Sequence, residues 1–298
     1  MAASAGSPES PLVAIVVLNW NGWDDTIDCL TSLEALEYEP FRVVVVDNAS
    51  AEPAPSAFDE LFPNATLLRT TENLGFGGGN NVGIRHVLEQ GAEFVWLLNN
   101  DTTVAPDSLS LMVDAALEDP RVGLVGAVLY HAYAPDRVQV WGGGRVGGRL
   151  ATVTVATAPT PLNFLCGASM LVRRAVFEDV GLLDERFFFF MEDVDFSRMA
   201  ARRGWRLAVA GGAAVWHKGG ASVNRAHDGR SSRADRLYVR STGVFIGKHA
   251  GALLPVAAAV RLAAIAARRL SRGEARHVPA LTAEFVGGLR NGYAGRRG

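Results

Sequence analysis

Three times in the first hundred residues an unbroken apolar run stops on amides or a carboxylate. Residues 13–18 give way to Asn19-Trp20-Asn21-Gly22, residues 43–46 to Asp47-Asn48-Ala49-Ser50, and residues 94–98 to Asn99-Asn100-Asp101. A run without polar alternation reads as a strand buried on both faces, as in a parallel sheet. Ligands of such sheets bind beyond the carboxyl ends of the strands. Between the runs the apolar period becomes helical. The pattern predicts strands over 12–18, 41–46, 66–69, 94–98 and 122–129. It predicts helices over 24–36, 57–62, 80–90 and 106–118, the last opening at Pro106, a favoured first-turn residue. Strand–helix alternation of this kind implies a mostly parallel sheet with right-handed crossovers.

The pattern then changes. Glycines at 142–144 and 147–148 punctuate a hairpin, followed by a strand over 151–157. An apolar strand is expected over 163–172, helices over 174–180 and 193–203, and a strand over 206–215. Everything after Asp235 reads as Ala/Arg-rich helix, and there is no internal repeat. The expected organisation is a flexible N-terminus at 1–11, an α/β domain at 12–230 and a basic helical extension at 231–298.

Composition narrows this little. The 298 residues are 49% hydrophobic and 20% charged, ample for a core. Cys29 and Cys166 make neither a disulfide framework nor a metal knuckle, and read as small buried apolar residues. No charged segment precedes the first apolar run, so no leader is expected. No run of about 18 uncharged apolar residues occurs, so no spanning helix is expected either. A cytoplasmic location follows. Charge is more telling: the net −2 divides into −12 for residues 1–224 and +10 from Arg225 onward. A basic tail on an acidic body points to two functional surfaces.

Five segments carry candidate chemistry. Asp47 at a strand tip can accept from a base N–H or a ribose hydroxyl, or cap the next helix. The stretch from Asn73 to Asn81, with glycines at 75, 77, 78 and 79, reads as a loop admitting a bulky ligand before a helix, or as a merely flexible loop. It follows the third strand and lacks the G-x-G-x-x-G spacing, so it fits a dinucleotide fingerprint poorly. Asn99–Asp101 can hold a ribose and a hard divalent cation, or form an Asx turn into Pro106. At 187–195 four phenylalanines precede Glu192, Asp193 and Asp195. Partial desolvation there would raise the pKa of a base, while the same acids suit a helix N-terminus, where Asp195 reads as structural. Finally His217 and Lys218 follow an apolar strand. The histidine is a metal ligand, a phosphate contact or a structural residue, and Lys218 and Ser222 are candidates for a leaving diphosphate.

In this order the segments resemble the family 2 inverting glycosyltransferases of GT-A fold, in particular the rhamnosyltransferase-like subgroup. The resemblance spans residues 13–222 and rests on Val-Leu-Asn-Trp-Asn-Gly at 17–22, Val-Asp-Asn-Ala-Ser at 46–50 and Asn-Leu-Gly-Phe-Gly-Gly-Gly-Asn at 73–80. It continues through Leu-Leu-Asn-Asn-Asp at 97–101, Cys-Gly-Ala-Ser-Met-Leu-Val-Arg-Arg at 166–174, Met-Glu-Asp-Val-Asp-Phe at 191–196 and Trp-His-Lys-Gly-Gly-Ala-Ser at 216–222. It implies an α/β GT-A fold, a mostly parallel central sheet flanked by helices, with a helical C-terminal extension. The nucleotide would bind within about 12–130 and the acceptor within about 131–230. Asp193 would be the general base and Glu192 would position acceptor or donor. Asp47 would contact the base and Asn99 the ribose, with Asn19, Asn21, Asn73, Gly75, Gly77, Asn80, Asn100 and Lys218 also on the donor side. Asp101 would bind Mg²⁺ or Mn²⁺ with His217 as a second ligand. Asn99 replaces an acid found in many relatives, which should weaken the metal's hold.

The implied reaction moves a sugar, L-rhamnose from dTDP-L-rhamnose first among candidates, to a glycan or lipid-linked acceptor in bacterial cell-surface polysaccharide assembly. A UDP-hexose transferase of the same fold is the alternative. A nucleotidyltransferase would need basic residues just after the first strand, where Asn19–Gly22 stand. A non-catalytic sugar-nucleotide-binding module would lack Asp101 or Asp193, and both are present. The arginines of 235–298 are expected to meet an anionic membrane surface on the inner face of the cell membrane, or else to form the solvated face of a lid. No nucleic-acid reader motif accompanies them, so nucleic acid is not expected as a partner.

Overall fold

The computed structural model describes residues 10–147, 150–219 and 233–295. Most of the expected N-terminal arm, and Ser222, lie outside the described residues. The central sheet runs β3 (Ala65–Arg69), β2 (Phe41–Asp47), β1 (Val13–Asn19), β4 (Phe94–Asn99), β11 (Ser169–Arg173), β6 (Val122–His131), β12 (Arg206–His217) and β5 (Thr102–Val104), with β7 (Ala134–Trp141) beside β6. β3, β2, β1 and β4 are parallel, and β12 is parallel to β6. β11 runs antiparallel between β4 and β6. A small second sheet joins β10 (Phe164–Leu165), β8 (Gly143–Gly147) and β9 (Thr152–Val155).

The unbroken apolar runs are explained by cover on both faces. Val13, Ile15 and Val17 pack with Leu30 and Leu33 of α1 (Trp23–Leu33) and Met112 of α4 (Ser108–Leu117). Their neighbours Ala14 and Val16 pack with Ile84 and Val87 of α3 (Gly75–Glu89), and with Val176 of α5 (Arg174–Val180) and Phe196 of α6 (Glu192–Arg202). A short α2 (Phe58–Leu61) completes this half.

Two expectations are corrected and a third is set beside a new observation. The apolar stretch 163–172 is not one strand. It breaks at Cys166–Ala168 and passes from the small sheet to the large one, because β10 pairs with β8 and β11 with β4. The glycine stretch is not a loop: helix begins at Gly75, five residues earlier than the apolar period shows, since glycines carry no periodic signal. Last, residues 251–270 are long and apolar enough to cross a membrane by length and composition. Arg261 interrupts the uncharged run, which is why the sequence criterion misses it.

The C-terminal residues form α7 (Arg233–His249), α8 (Leu254–Leu270) and α9 (Val278–Ala294). They build a third core, in which Val244, Phe245, Leu281 and Phe285 meet Phe187, Met191 and Val194. α7 and α9 approach through Gly243, Gly247, Gly288 and Gly292. A Cβ at Gly288 would stand 2.0 Å from the Arg240 carbonyl oxygen, so nothing larger fits without separating the helices.

Candidate active site

The parallel register sets Asn19 beside Asp47, and Leu18 beside Asn99. The three strand tips therefore share one edge, as expected, yet their side chains do different work. Asn19 is fully buried. Its oxygen accepts from the Gly22 N–H (3.1 Å) and the Thr26 hydroxyl (3.1 Å), and its nitrogen donates to Ser50 Oγ (3.2 Å). Asn100 donates to Asn19 Oδ1, the Gly22 carbonyl and Thr26 Oγ1 at 3.3, 3.2 and 3.0 Å. Both amides lock β1 to the start of α1, so their hydrogen-bonding groups are already engaged within the protein. Asn21 takes a left-handed conformation (φ 54°) and accepts from the Ala51 N–H at 2.7 Å. It lines a cleft of about 420 Å³ with Trp23, Asp24 and Glu52. Asp47 differs from the amides. Oδ1 accepts from the Ser50 N–H at 3.0 Å. Oδ2 is buried without a hydrogen-bond partner among the described residues, its neighbour being Arg69 Nε at 3.6 Å.

Asn73, Gly75, Gly77 and Asn80 form the opening of α3. The Asn73 oxygen accepts from the Gly75 N–H (2.8 Å) and Asn48 Nδ2 (3.1 Å), and Asn80 donates back to the Phe76 carbonyl (2.9 Å). Gly75 has φ +74°, and a Cβ there would fall 2.2 Å from the Phe188 carbonyl oxygen; the Phe76 N–H donates to that same oxygen at 2.7 Å. Gly77 packs against the carbonyls of Asp184 and Phe187. These glycines admit protein backbone, the segment 184–188, where a bulky ligand was expected.

Asp101 and His217 meet, as the sequence pairing requires. β5 and β12 pair through Thr102 and His217, and this brings Asp101 Oδ1 to 3.2 Å from His217 Nε2, both side chains largely buried. His217 Nδ1 donates to Gln139 Oε1 at 2.7 Å. Nε2 then faces the Asp101 carboxylate and the Asn99 amide nitrogen, the latter at 3.4 Å. A ring nitrogen and a carboxylate oxygen that face each other are ligands a cation could bridge, and a second nitrogen fixed by an amide oxygen is the usual support of a ligating histidine. Among the described residues no cluster of three such ligand side chains exists. A cation here would take its remaining ligands from diphosphate and water, as Mg²⁺ commonly does. Lys218 Nζ is bonded to Asp25 at 2.7 Å and Asp28 at 2.9 Å, which raises its pKa; the expected leaving-group contact would have to compete with these two carboxylates.

The carboxylate segment is held under strain. Phe190 and Met191 are both left-handed, at φ 69° and 72°, immediately before Glu192. Bulky residues adopt this backbone only where surroundings enforce it. Here the Ser241 hydroxyl donates to the Phe189 carbonyl at 2.8 Å and Tyr238 packs edge-on against Phe190 at 5.8 Å. Asp195 accepts from Lys248 (2.7 Å) and His249 (2.6 Å), tying α6 to α7, so its structural reading fits. Asp193 is half-buried and accepts from the N–H groups of Gly167 (2.9 Å) and Val194 (2.7 Å). The next residue, Ala168, accepts from the Asn99 N–H at 3.0 Å. The break in 163–172 thus connects the tip of β4 to Asp193. Burial raises the pKa of Asp193 above its ordinary value, opposed by those two N–H groups. Glu192 is raised further, by deeper burial first and the adjacent Asp193 charge second, and its Oε2 has no hydrogen-bond partner among the described residues.

Sequence reading missed Gln139, Arg69 and the role of Gly167. Gln139 lies on a strand no periodicity announced. Gly167 stands within a quoted motif, but its N–H meets Asp193 only because the chain breaks there. Cys29 is a buried free thiol, as expected, and Cys166 a partly buried one; burial pushes both up to about 12.

A curled, mostly parallel sheet with helices on both faces and its candidate residues at the strand tips is the GT-A architecture, and solved structures agree. The chain superposes on GalNAc-T7, solved with UDP, GalNAc and Mn²⁺, at TM-score 0.64 and 13% identity, covering 81% of this chain and 48% of that one. It superposes on the mannosyltransferase PcManGT of Pyrobaculum calidifontis, in complex with GDP-Man and Mn²⁺, at TM-score 0.55 and 21% identity, covering 94% and 86%. Residues 9–234 match Glycosyltransferase like family 2, and the chain belongs to that family of glycosyltransferases. A curated relative from Mycobacterium tuberculosis, N-acetylglucosaminyl-diphospho-decaprenol L-rhamnosyltransferase, is 29% identical over 251 residues, 74% of this chain and 80% of the relative.

Proposed function

We propose that this glycosyltransferase moves L-rhamnose from dTDP-L-rhamnose, with inversion, to a hydroxyl of a lipid-linked or glycan acceptor during cell-surface polysaccharide assembly. One observation carries the reading: the Asp101–His217 pair and Asp193 converge on the tip of β4, the first through a 3.2 Å contact and the second through Gly167 and Ala168. A diphosphate leaving group and a general base are the two parts a single displacement needs. The similar mycobacterial rhamnosyltransferase supports the sugar and a lipid-diphosphate acceptor.

In the proposed step the ionised Asp193 removes the acceptor hydroxyl proton. The oxygen bonds to the anomeric carbon on the face opposite the diphosphate, whose bond to that carbon breaks. Glu192, adjacent to Asp193 with Oε2 unpartnered among the described residues, would position acceptor or donor. Asp47 Oδ2 takes an N–H or hydroxyl of the nucleoside. Asp101 and His217 would hold Mg²⁺ or Mn²⁺, which would supply neutralisation of the leaving diphosphate. A thermal-shift panel of dTDP-rhamnose, UDP-glucose, UDP-galactose and GDP-mannose, each with and without metal, tests the donor. Saturation at about 100 times Kd should add roughly 2.7 kcal/mol. A metal-enhanced shift with dTDP-rhamnose, lost in Asp101→Asn, is expected. A shift with a UDP-hexose alone would replace the donor.

A further inference from the structure

Helix α8 covers one face and leaves another bare. Ala257 and Ile265 turn to the protein, as does Arg269, bonded to Asp235 at 2.7 Å and to Glu274, and Arg261 lies over the Tyr238 ring at 6.0 Å. A second set of apolar side chains turns outward. Leu253, Val256 and Val260 are 37%, 60% and 46% exposed, and Ala263, Ala264 and Ala267 continue the stripe at three- and four-residue steps. Only 11% of the most apolar stretch of residues 251–270 is buried. A surface helix of a water-soluble domain shows polar residues on the face away from the core, and a contiguous exposed apolar face there marks an interaction site.

We propose that this face of α8 docks on an anionic lipid bilayer, with the helix lying in the interface plane and not crossing it. Charge complementarity selects the occupant. Arg268, Arg272 and Arg276 are exposed where the helix ends, and no acidic residue stands between Ala250 and Gly273. Anionic headgroups answer those arginines. A second copy of the same face offers them no carboxylate. Crossing is disfavoured because it would pull Arg269 from both carboxylates and carry Arg261 into hydrocarbon. Leu253 also lines a cleft of about 650 Å³ with Leu150, Thr152, Arg198 and His249. The docked face therefore borders α6, the helix that carries Asp193. The docking rests on the surface alone; presentation of a membrane-held acceptor to α6 rests on the transferase reading.

The test is co-sedimentation of the full chain with vesicles of phosphatidylcholine, with and without phosphatidylglycerol. Binding to the anionic vesicles at low salt, weakening as salt rises, is expected. The double variant Val256→Asp with Val260→Asp should partition about tenfold less or worse. Arg268→Gln with Arg272→Gln should lose the preference for phosphatidylglycerol. A circular-dichroism melt that matches the parent shows the variants are folded, and needs no donor, so failure of docking and failure of the transferase reading separate. Absence of binding at low salt, or undiminished binding of the valine variant, overturns the proposal. So does a parent dimer in solution that the valine variant converts to monomer, which would assign the face to a second copy.

Discussion

Asn19 and Asp47 sit side by side at adjacent strand tips, equally buried, and differ in how their oxygens are used. The Asn19 oxygen already receives the Gly22 N–H, the Thr26 hydroxyl and the Asn100 amide, whereas Asp47 Oδ2 receives no hydrogen bond from the described residues. Buried polar groups are almost always paired, so the satisfied one reads as structure and the unsatisfied one as half of an interaction whose partner arrives with a ligand. Glu192 Oε2 belongs with Asp47 by this criterion. Sequence position alone would have assigned all three to the ligand.

The largest effect that could break this contrast lies beside Glu192. Asp193→Asn keeps the size of the side chain but removes the proton acceptor. Turnover, followed as nucleotide release with acceptor present, should fall on the order of 10²-fold or more. The donor-induced thermal shift should persist. Near-normal turnover would remove Asp193 as the base.

Asn19→Ala should act on stability. It strands the Gly22 N–H and the Thr26 and Asn100 donors in a buried site, at a cost of about 2–4 kcal/mol in urea unfolding. Donor affinity measured below the transition should change little. A variant with parental stability and lost donor binding would return Asn19 to the ligand. Asp47→Asn should invert that result. Asparagine still accepts from the Ser50 N–H, and the half-exposed Arg69 pair adds little. Stability should hold while donor affinity, by titration calorimetry, drops about tenfold.

These contrasts mark what a sequence can carry. Strands β1, β2 and β4 were legible because each is an apolar run covered on both faces, and the run's last polar residue names its tip; β5 and β7 carry no such run and were not. The Asp101–His217 meeting was legible only through the resemblance, since 116 positions separate them and the β5–β12 pairing that joins them is three residues long. The direction of a side chain at a tip was not legible: Asn19, Asn100 and Lys218 look like Asp47 in the string. The glycines of α3 misled because a glycine that admits a ligand and one that admits the Phe188 carbonyl have the same letter. The bracing of 187–195 by α7 depends on Lys248 and His249, more than fifty residues away.

Glu192→Gln sharpens the comparison through pH. Its carboxyl is held above the ordinary 4.5 by burial. The folded protein thus keeps a proton that the unfolded chain releases, so stability falls as pH rises above about 4.5, up to the raised folded pKa. Glutamine cannot ionise and escapes that loss. The variant should be more stable than the parent by about 1 kcal/mol at pH 8 and nearly equal to it at pH 4. A gain of the same size at both pH values would show that ionisation is not its cause.

The smallest effect expected is at Lys218, and it bears on which cation serves the diphosphate. Its ammonium is engaged by two carboxylates of α1, with Asp25 the more buried of the pair. Reaching a phosphate would break the 2.7 and 2.9 Å contacts to Asp25 and Asp28, so the donor gains little from this lysine. Lys218→Met should change donor affinity less than about threefold, a difference of under 1 kcal/mol, and should lower stability modestly, less so in high salt. A loss of donor binding comparable to that of Asp101→Asn would mean that the lysine swings from α1 to the diphosphate when the donor arrives, and that its bonds to Asp25 and Asp28 describe only the empty cleft.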